Sequence, residues 1–302
     1  MFYWLVIIIL AYLFFGFGSF GDKLVLAGRP KPNTYSFYIG VFGLVTAFFV
    51  MPFIKLGIPN SSTLALLALD AIVRILGIYS MFVALESFEV SKVLPTIGAI
   101  QPLFILVLTW IFWGPQVMTV IDVLAFLMLF IASIIISIEK TPKITGRFIK
   151  ITLFSSLMFS LDYVFLKLIF SSQPFWQGVV WVQLFIFIFV LAFLIPKKSR
   201  KEIFAKRLIS DKKNQTLFLC AQVTGGVGNL LQSFAISLTP VIFLATINAL
   251  RGIQYAFLFL ITLFVSFFFP RIMKEEVTGK IILRKSISIL LIVIGLAILV
   301  IY

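Results

Sequence analysis

The chain has 302 residues, of which 62% are hydrophobic and 12% charged, and its mean hydropathy is +1.16. A water-soluble domain carries about 25% charged residues, so too little polar surface is available to cover a globule in water, and most of the chain must meet lipid. The basic balance, 25 Lys and Arg against 11 Asp and Glu, sits in short connections between apolar runs rather than along one face, which sets nucleic acid aside as a partner.

A bilayer core takes roughly 20 apolar residues per helix. Such runs lie near 3–26, 35–54, 62–85, 90–112, 117–138, 148–170, 175–195, 216–237, 241–269 and 282–302. The first is expected to be a retained helix, because no basic region precedes it and no small-residue cleavage site follows it. The breaks carry recognisable punctuation: Gly28-Arg29-Pro30-Lys31-Pro32, Pro59-Asn60, Gly114-Pro115, Thr141-Pro142, Gln173-Pro174, Pro196 and Pro270. The ninth run is unusually long and is expected to be either strongly tilted or broken near its polar stretch.

The basic residues orient these runs. Odd-numbered connections hold Arg29 and Lys31, then Lys92, then Lys140, Lys143, Arg147 and Lys150, then the basic stretch Lys197–Lys213, then Arg271, Lys274, Lys280, Arg284 and Lys285. Even-numbered connections hold Lys55 alone. The positive-inside rule makes the odd connections cytoplasmic and both termini external. The fold class expected is therefore an all-α membrane protein of about ten transmembrane helices.

A faint repeat divides the chain into five-helix halves, 1–145 and 146–302, within one integrated membrane domain. Phe15-Gly16 precedes Lys23 by the same interval at which Phe159-Ser160 precedes Lys167, and Ala84-Leu85 parallels Ala235. With an odd number of helices per half, the second half is inverted relative to the first. Inverted repeats are a common architecture of secondary transporters, which bind substrate near the midplane.

Taken with Pro102 in the fourth run, these features resemble the drug/metabolite transporter superfamily in its ten-helix EamA-type branch. The likeness extends over essentially the whole chain and lies in order and spacing rather than in one motif. It implies transport of amino acids, other metabolites or drugs without ATP. The chain departs from that pattern at Gly114-Pro115, where the family often has Gly-Glu. It departs again in the second half, where the acidic turn is Lys274-Glu275-Glu276 and the ninth run carries Leu250-Arg251-Gly252-Ile253-Gln254-Tyr255 in place of a frequent proline.

Ionisable groups at mid-bilayer need a partner, a cavity or a function. Lys23 is placed to snorkel to water. Asp70 and Arg74 stand at i, i+4, and are either a self-satisfied structural pair or part of an ion-coupling site. Asp162 is the candidate protonatable group; Lys167 lies five residues on, roughly 140° around the helix, and is a poor direct partner for it. Gln222, Asn229 and Gln232 form a stripe on the eighth run, with Gly225, Gly226 and Gly228 expected to permit close helix contact. Asn248, Arg251, Gln254 and Tyr255 form a second stripe on the ninth. These amides serve either interhelical hydrogen bonding or substrate binding and gating. Arg251, a permanent cation deep in a helix, calls for an acidic partner or an anionic substrate group. Trp4, Trp113, Trp176 and Trp181 are expected near the interfaces, and Cys220 as a small packing residue.

No histidine is present and Cys220 is the single cysteine, so no metal, cofactor or intrachain disulfide is expected. No Walker loop is present either, and the largest connection is too short for a nucleotide domain. The reading that follows is a secondary transporter of a small metabolite (amino acid, amine or drug-like solute) in the inner membrane, expected to work in efflux by alternating access around a midplane cavity, monomeric or homodimeric, with the substrate and the lipid bilayer as its partners. A flippase for a phosphate-linked lipid or sugar carrier would use Arg251 and Lys167. An intramembrane enzyme or a non-transporting sensor belongs to a different class, and no catalytic residue set is evident.

Overall fold

The computed structural model describes residues 3–25, 31–88, 90–114, 118–137, 145–204, 212–268 and 279–301. The punctuation at Arg29-Pro30, Pro115, Thr141-Pro142 and Pro270, the turn Lys274-Glu275-Glu276 and the Lys23 side chain lie outside this description. Among the described residues twelve α-helices run in chain order: α1 Tyr3–Val25, α2 Pro32–Val50, α3 Ser61–Ser87, α4 Val90–Trp113, α5 Val120–Ser137, α6 Gly146–Ser172, α7 Phe175–Val190, α8 Lys197–Ile203, α9 Lys212–Leu238, α10 Leu244–Ala249, α11 Gly252–Phe268 and α12 Gly279–Ile301. No strand occurs among the described residues. The chain is an all-α, multi-pass membrane protein: among the described residues 8 helical stretches are long and apolar enough to cross a bilayer, counting Val241–Phe268 as one. Two of the ten runs fall outside that set. The apolar stretch of α5, Val120–Ile136, is shorter, and α9 is diluted by Gln222, Asn229, Gln232 and its glycines.

Local chemistry sets several helix starts. Asn60 caps α3 by accepting from the Thr63 amide at 2.8 Å, and Thr145 caps α6 by accepting from the Phe148 amide at 3.2 Å. A reciprocal box opens α5: the Thr119 amide donates to Asp122 Oδ2 at 3.0 Å and the Asp122 amide donates to Thr119 Oγ1 at 3.1 Å.

The helices gather into two compact units, each drawing on both halves of the sequence. One comprises Met1–Ala27, Trp110–Thr141 and Asp211–Tyr302; the other comprises Gly28–Thr109 and Pro142–Ser210. In the first unit, α1 packs along α9 and α11, and α5 along α12. Gly228 serves the α1–α9 contact, since a β-carbon there would meet Ala11 O at 3.2 Å and Phe15 Cδ1 at 3.0 Å. The expectation of three contact glycines fails at Gly225 and Gly226, whose added β-carbons would meet nothing within 4 Å. Cys220 is exposed rather than packed, and Trp4 is buried, stacked 5.8 Å from Phe243.

In the second unit, α3 packs on α6 and α2 on α7. Serines make the α6 contacts close. Ser155 Oγ donates to Gly77 O on α3 at 3.1 Å, and Ser156 and Ser160, which donate to Thr152 O and Ser156 O one turn back at 2.7 Å, stand 3.2 and 3.1 Å from Ile97 O and Gln101 O on α4. Small hydroxyl residues let helix backbones approach where lipid offers no hydrophobic drive between helices.

Inside the second unit, connections of like parity meet. Even-numbered connections meet one another: Gln177 and Trp181 donate to Lys55 O and Gly57 O, at 2.8 and 3.0 Å, and Thr63 donates to Ser172 Oγ at 3.1 Å. Odd-numbered ones do the same: Asn33 donates to Glu202 Oε2 at 3.0 Å, and the rings of Phe88 and Phe148 lie 5.1 Å apart.

Candidate functional site

Within the first unit the ninth run divides. Helix α10 ends at Ala249, α11 begins at Gly252, and Leu250 and Arg251 form a turn between them. Across the turn the hydrogen bonds shorten from i−4 to i−3: the Arg251 amide donates to Asn248 O at 3.0 Å, Ile253 to Leu250 O at 2.9 Å and Gln254 to Arg251 O at 3.0 Å. Gly252 is required there, because a β-carbon would lie 3.1 Å from Ser133 Cα on α5. The shortened ladder bypasses the Ile247 carbonyl, and the buried Tyr12 hydroxyl of α1 donates to it at 2.7 Å. A backbone acceptor freed inside the membrane has thus been given a side-chain donor.

The first unit carries the polar side chains of both stripes. Asn248 is 0% exposed, and neither its Nδ2 nor its Oδ1 has a hydrogen-bond partner among the described residues; Thr246 Oγ1 is in the same condition. An unsatisfied buried polar group costs roughly 1–3 kcal/mol. Arg251 is partly buried and within electrostatic reach of Tyr255, one turn further along. Gln254 Nε2 donates to Ser19 Oγ on α1 at 3.1 Å. On α9, Gln232 is buried and Gln222 and Asn229 are partly buried. Lys285 of α12 stands over the Phe259 ring at 4.2 Å from its centroid.

The second unit carries a charged cluster. Arg74 Nε lies 2.7 Å from Asp162 Oδ1 on α6, while its Nη2 lies 3.9 Å from Asp70 Oδ2 on its own helix. The expected Asp70–Arg74 pair is present, yet the closer partner is on another helix, and Asp162 is therefore not the partnerless acid that its own helix suggested. Asp70 is fully buried and its oxygens accept no hydrogen bond from the described residues. Lys167 is buried further along α6.

Arg74–Asp162 cannot be found by spacing within one helix, since no local periodicity joins residues 88 positions apart. Tyr12, Gln101 and the serines of α6 were also passed over. Their signal is present: Ser156 and Ser160 share one face at i, i+4, Ser155 stands about 100° around from Ser156, and Tyr12 is the polar tip in an otherwise apolar turn of α1.

No family model and no curated protein matches the chain. Solved structures do match: one crystal structure superposes with a TM-score of 0.67, covering 97% of this chain and 94% of the other, at 13% identity. At that identity the likeness shows a shared fold and nothing of its chemistry.

Proposed function

We propose that the chain is a secondary transporter of a small metabolite (an amino acid, amine or drug-like solute), working by alternating access in the inner membrane, with its substrate site at the broken ninth span. The observation that carries this reading is the break itself. A helix interrupted at Leu250–Arg251 places the unpartnered Asn248 amide and the Thr246 hydroxyl inside a membrane-spanning stretch. Broken spans are where transporters hold polar substrates, because irregular backbone at membrane depth is stable only when it faces protein or a polar ligand. Arg251, beside them, suits a carboxylate or phosphate group through its planar fork.

The packing supports an inverted repeat of the EamA type. Exchanging the first five spans with the second five turns the packing of α1 on α9 and α11 into that of α6 on α3 and α4. The same exchange leaves α5 with α12 and α2 with α7. A fold built this way performs transport by exchanging the environments of its two halves.

The test is uptake in proteoliposomes of the purified protein, with a mixture of labelled amino acids and amines as probe and melting temperature as the folding control. Uptake is expected in the wild type, with loss on Asn248→Leu and Arg251→Lys in folded protein. Equal uptake by protein-free vesicles, or by both variants, would overturn the assignment.

A further inference from the structure

We propose that Asp70 and Asp162 hold one exchangeable proton between them, with Arg74 as the fixed countercharge, so that this cluster is a proton-binding site. Its use in coupling rests on the transport reading above; the proton site itself does not.

The argument starts from charge. Two carboxylates face a single guanidinium, at 2.7 and 3.9 Å. With both acids ionised the cluster carries one net negative charge in a buried setting, where an uncompensated charge is costly. A second observation points the same way. Asp70 is 0% exposed, its oxygens accept no hydrogen bond from the described residues, and its carboxyl stands beside that of Asp162. A proton on either acid neutralises the cluster, removes the repulsion between like charges and supplies the missing donor. On release the O–H bond breaks, the proton passes to water, and both carboxylates remain around Arg74.

Neighbouring helices leave this balance to the three residues. Apart from Tyr163, whose phenol interacts electrostatically with Arg74, the remaining charges of α6 are Arg147 and Lys150 in its first turns and Lys167, five residues beyond Asp162. Helix α3 adds Glu86 near its end, α4 has only Lys92 in its first turn, and α2 and α7 have no charged residue.

Infrared difference spectra of the detergent-purified protein, acidic minus alkaline, test the site without a substrate. The wild type is expected to show a protonated-carboxyl band, shifted in deuterium oxide, that disappears in Asp70→Asn and in Asp162→Asn. It should persist in Asp122→Asn, which alters the exposed cap of α5. Each asparagine variant keeps the charge of the protonated cluster, so both are expected to fold. Failure of both to fold, or retention of the full band by both, overturns the proposal. Proteoliposomes containing a pH-sensitive dye and given an amino-acid mixture supply the coupling arm. The ratio of uptake with and without a proton gradient should exceed one in the wild type and fall to one in each variant. Uptake that ignores the gradient in the wild type overturns coupling while transport stands; the band without any uptake overturns transport while the proton site stands.

Discussion

Arg74 is closer to Asp162, at 2.7 Å on α6, than to Asp70, at 3.9 Å on its own helix. A buried guanidinium therefore ties two helices that are far apart in sequence, and the acid one turn away on α3 becomes the second carboxylate of the group. Removing either acid leaves Arg74 with one partner. Removing Arg74 leaves two buried acids with none.

The first prediction follows from that inequality. Arg74→Gln should destabilise the protein by about 3–5 kcal/mol, the cost of breaking a buried charge pair from one side. Asp70→Asn should cost much less, because the Arg74–Asp162 contact survives. Thermal melts in one detergent compare them; equal losses for the two variants contradict the assigned partners.

The second concerns Tyr12. Tyr12→Phe keeps the ring but removes the donor to Ile247 O, leaving a buried carbonyl of the break unpaired. A loss of roughly 1–3 kcal/mol is expected, read as a lower melting temperature. An unchanged temperature would show that the carbonyl finds another donor.

The third uses two glycines of α9. Gly226→Ala adds a β-carbon with nothing within 4 Å and gains helix propensity, about 1 kcal/mol. Gly228→Ala adds one against Ala11 O and Phe15. The Gly226→Ala protein should melt at or above the wild type and above Gly228→Ala; the reverse order would place the helix contact elsewhere.

The fourth concerns sidedness. With Cys220 replaced by serine, cysteines introduced at the exposed Lys198 and Pro240 should react with a membrane-impermeant reagent from opposite sides, Lys198→Cys from the cytoplasm. Labelling of both from one side would overturn the alternation of connections.

Most of the long helices are legible because each is an apolar run with punctuated ends, and that information is local; the short basic α8 carries no such signal. The break near Arg251 was legible as one of two alternatives, since Asn248, Arg251 and Gln254 interrupt an overlong run. What stayed hidden was pairing. Asp70–Arg74 could be read from helical spacing, whereas Arg74–Asp162, Tyr12–Ile247 and Ser155–Gly77 depend on which helix lies beside which, and hydropathy carries no record of neighbours. The glycines of α9 show the same limit: composition marked all three, and only the direction each faces selects Gly228.

The bond from Tyr12 to Ile247 spans 235 positions, and that separation constrains synthesis. At about 5–20 residues per second, Ile247 is made roughly 10–50 s after Tyr12. For most of that interval α1 lacks α9, and for all of it α1 lacks α11, its packing partners. Its first lodging in the bilayer must therefore rest on its own hydropathy, with the Tyr12 hydroxyl yet to meet its native acceptor. The second unit ends at Ser210 and can assemble while the ribosome is still supplying the helices that complete the first. Helix α1, made before the other eleven, is thus among the last of them to reach its final surroundings.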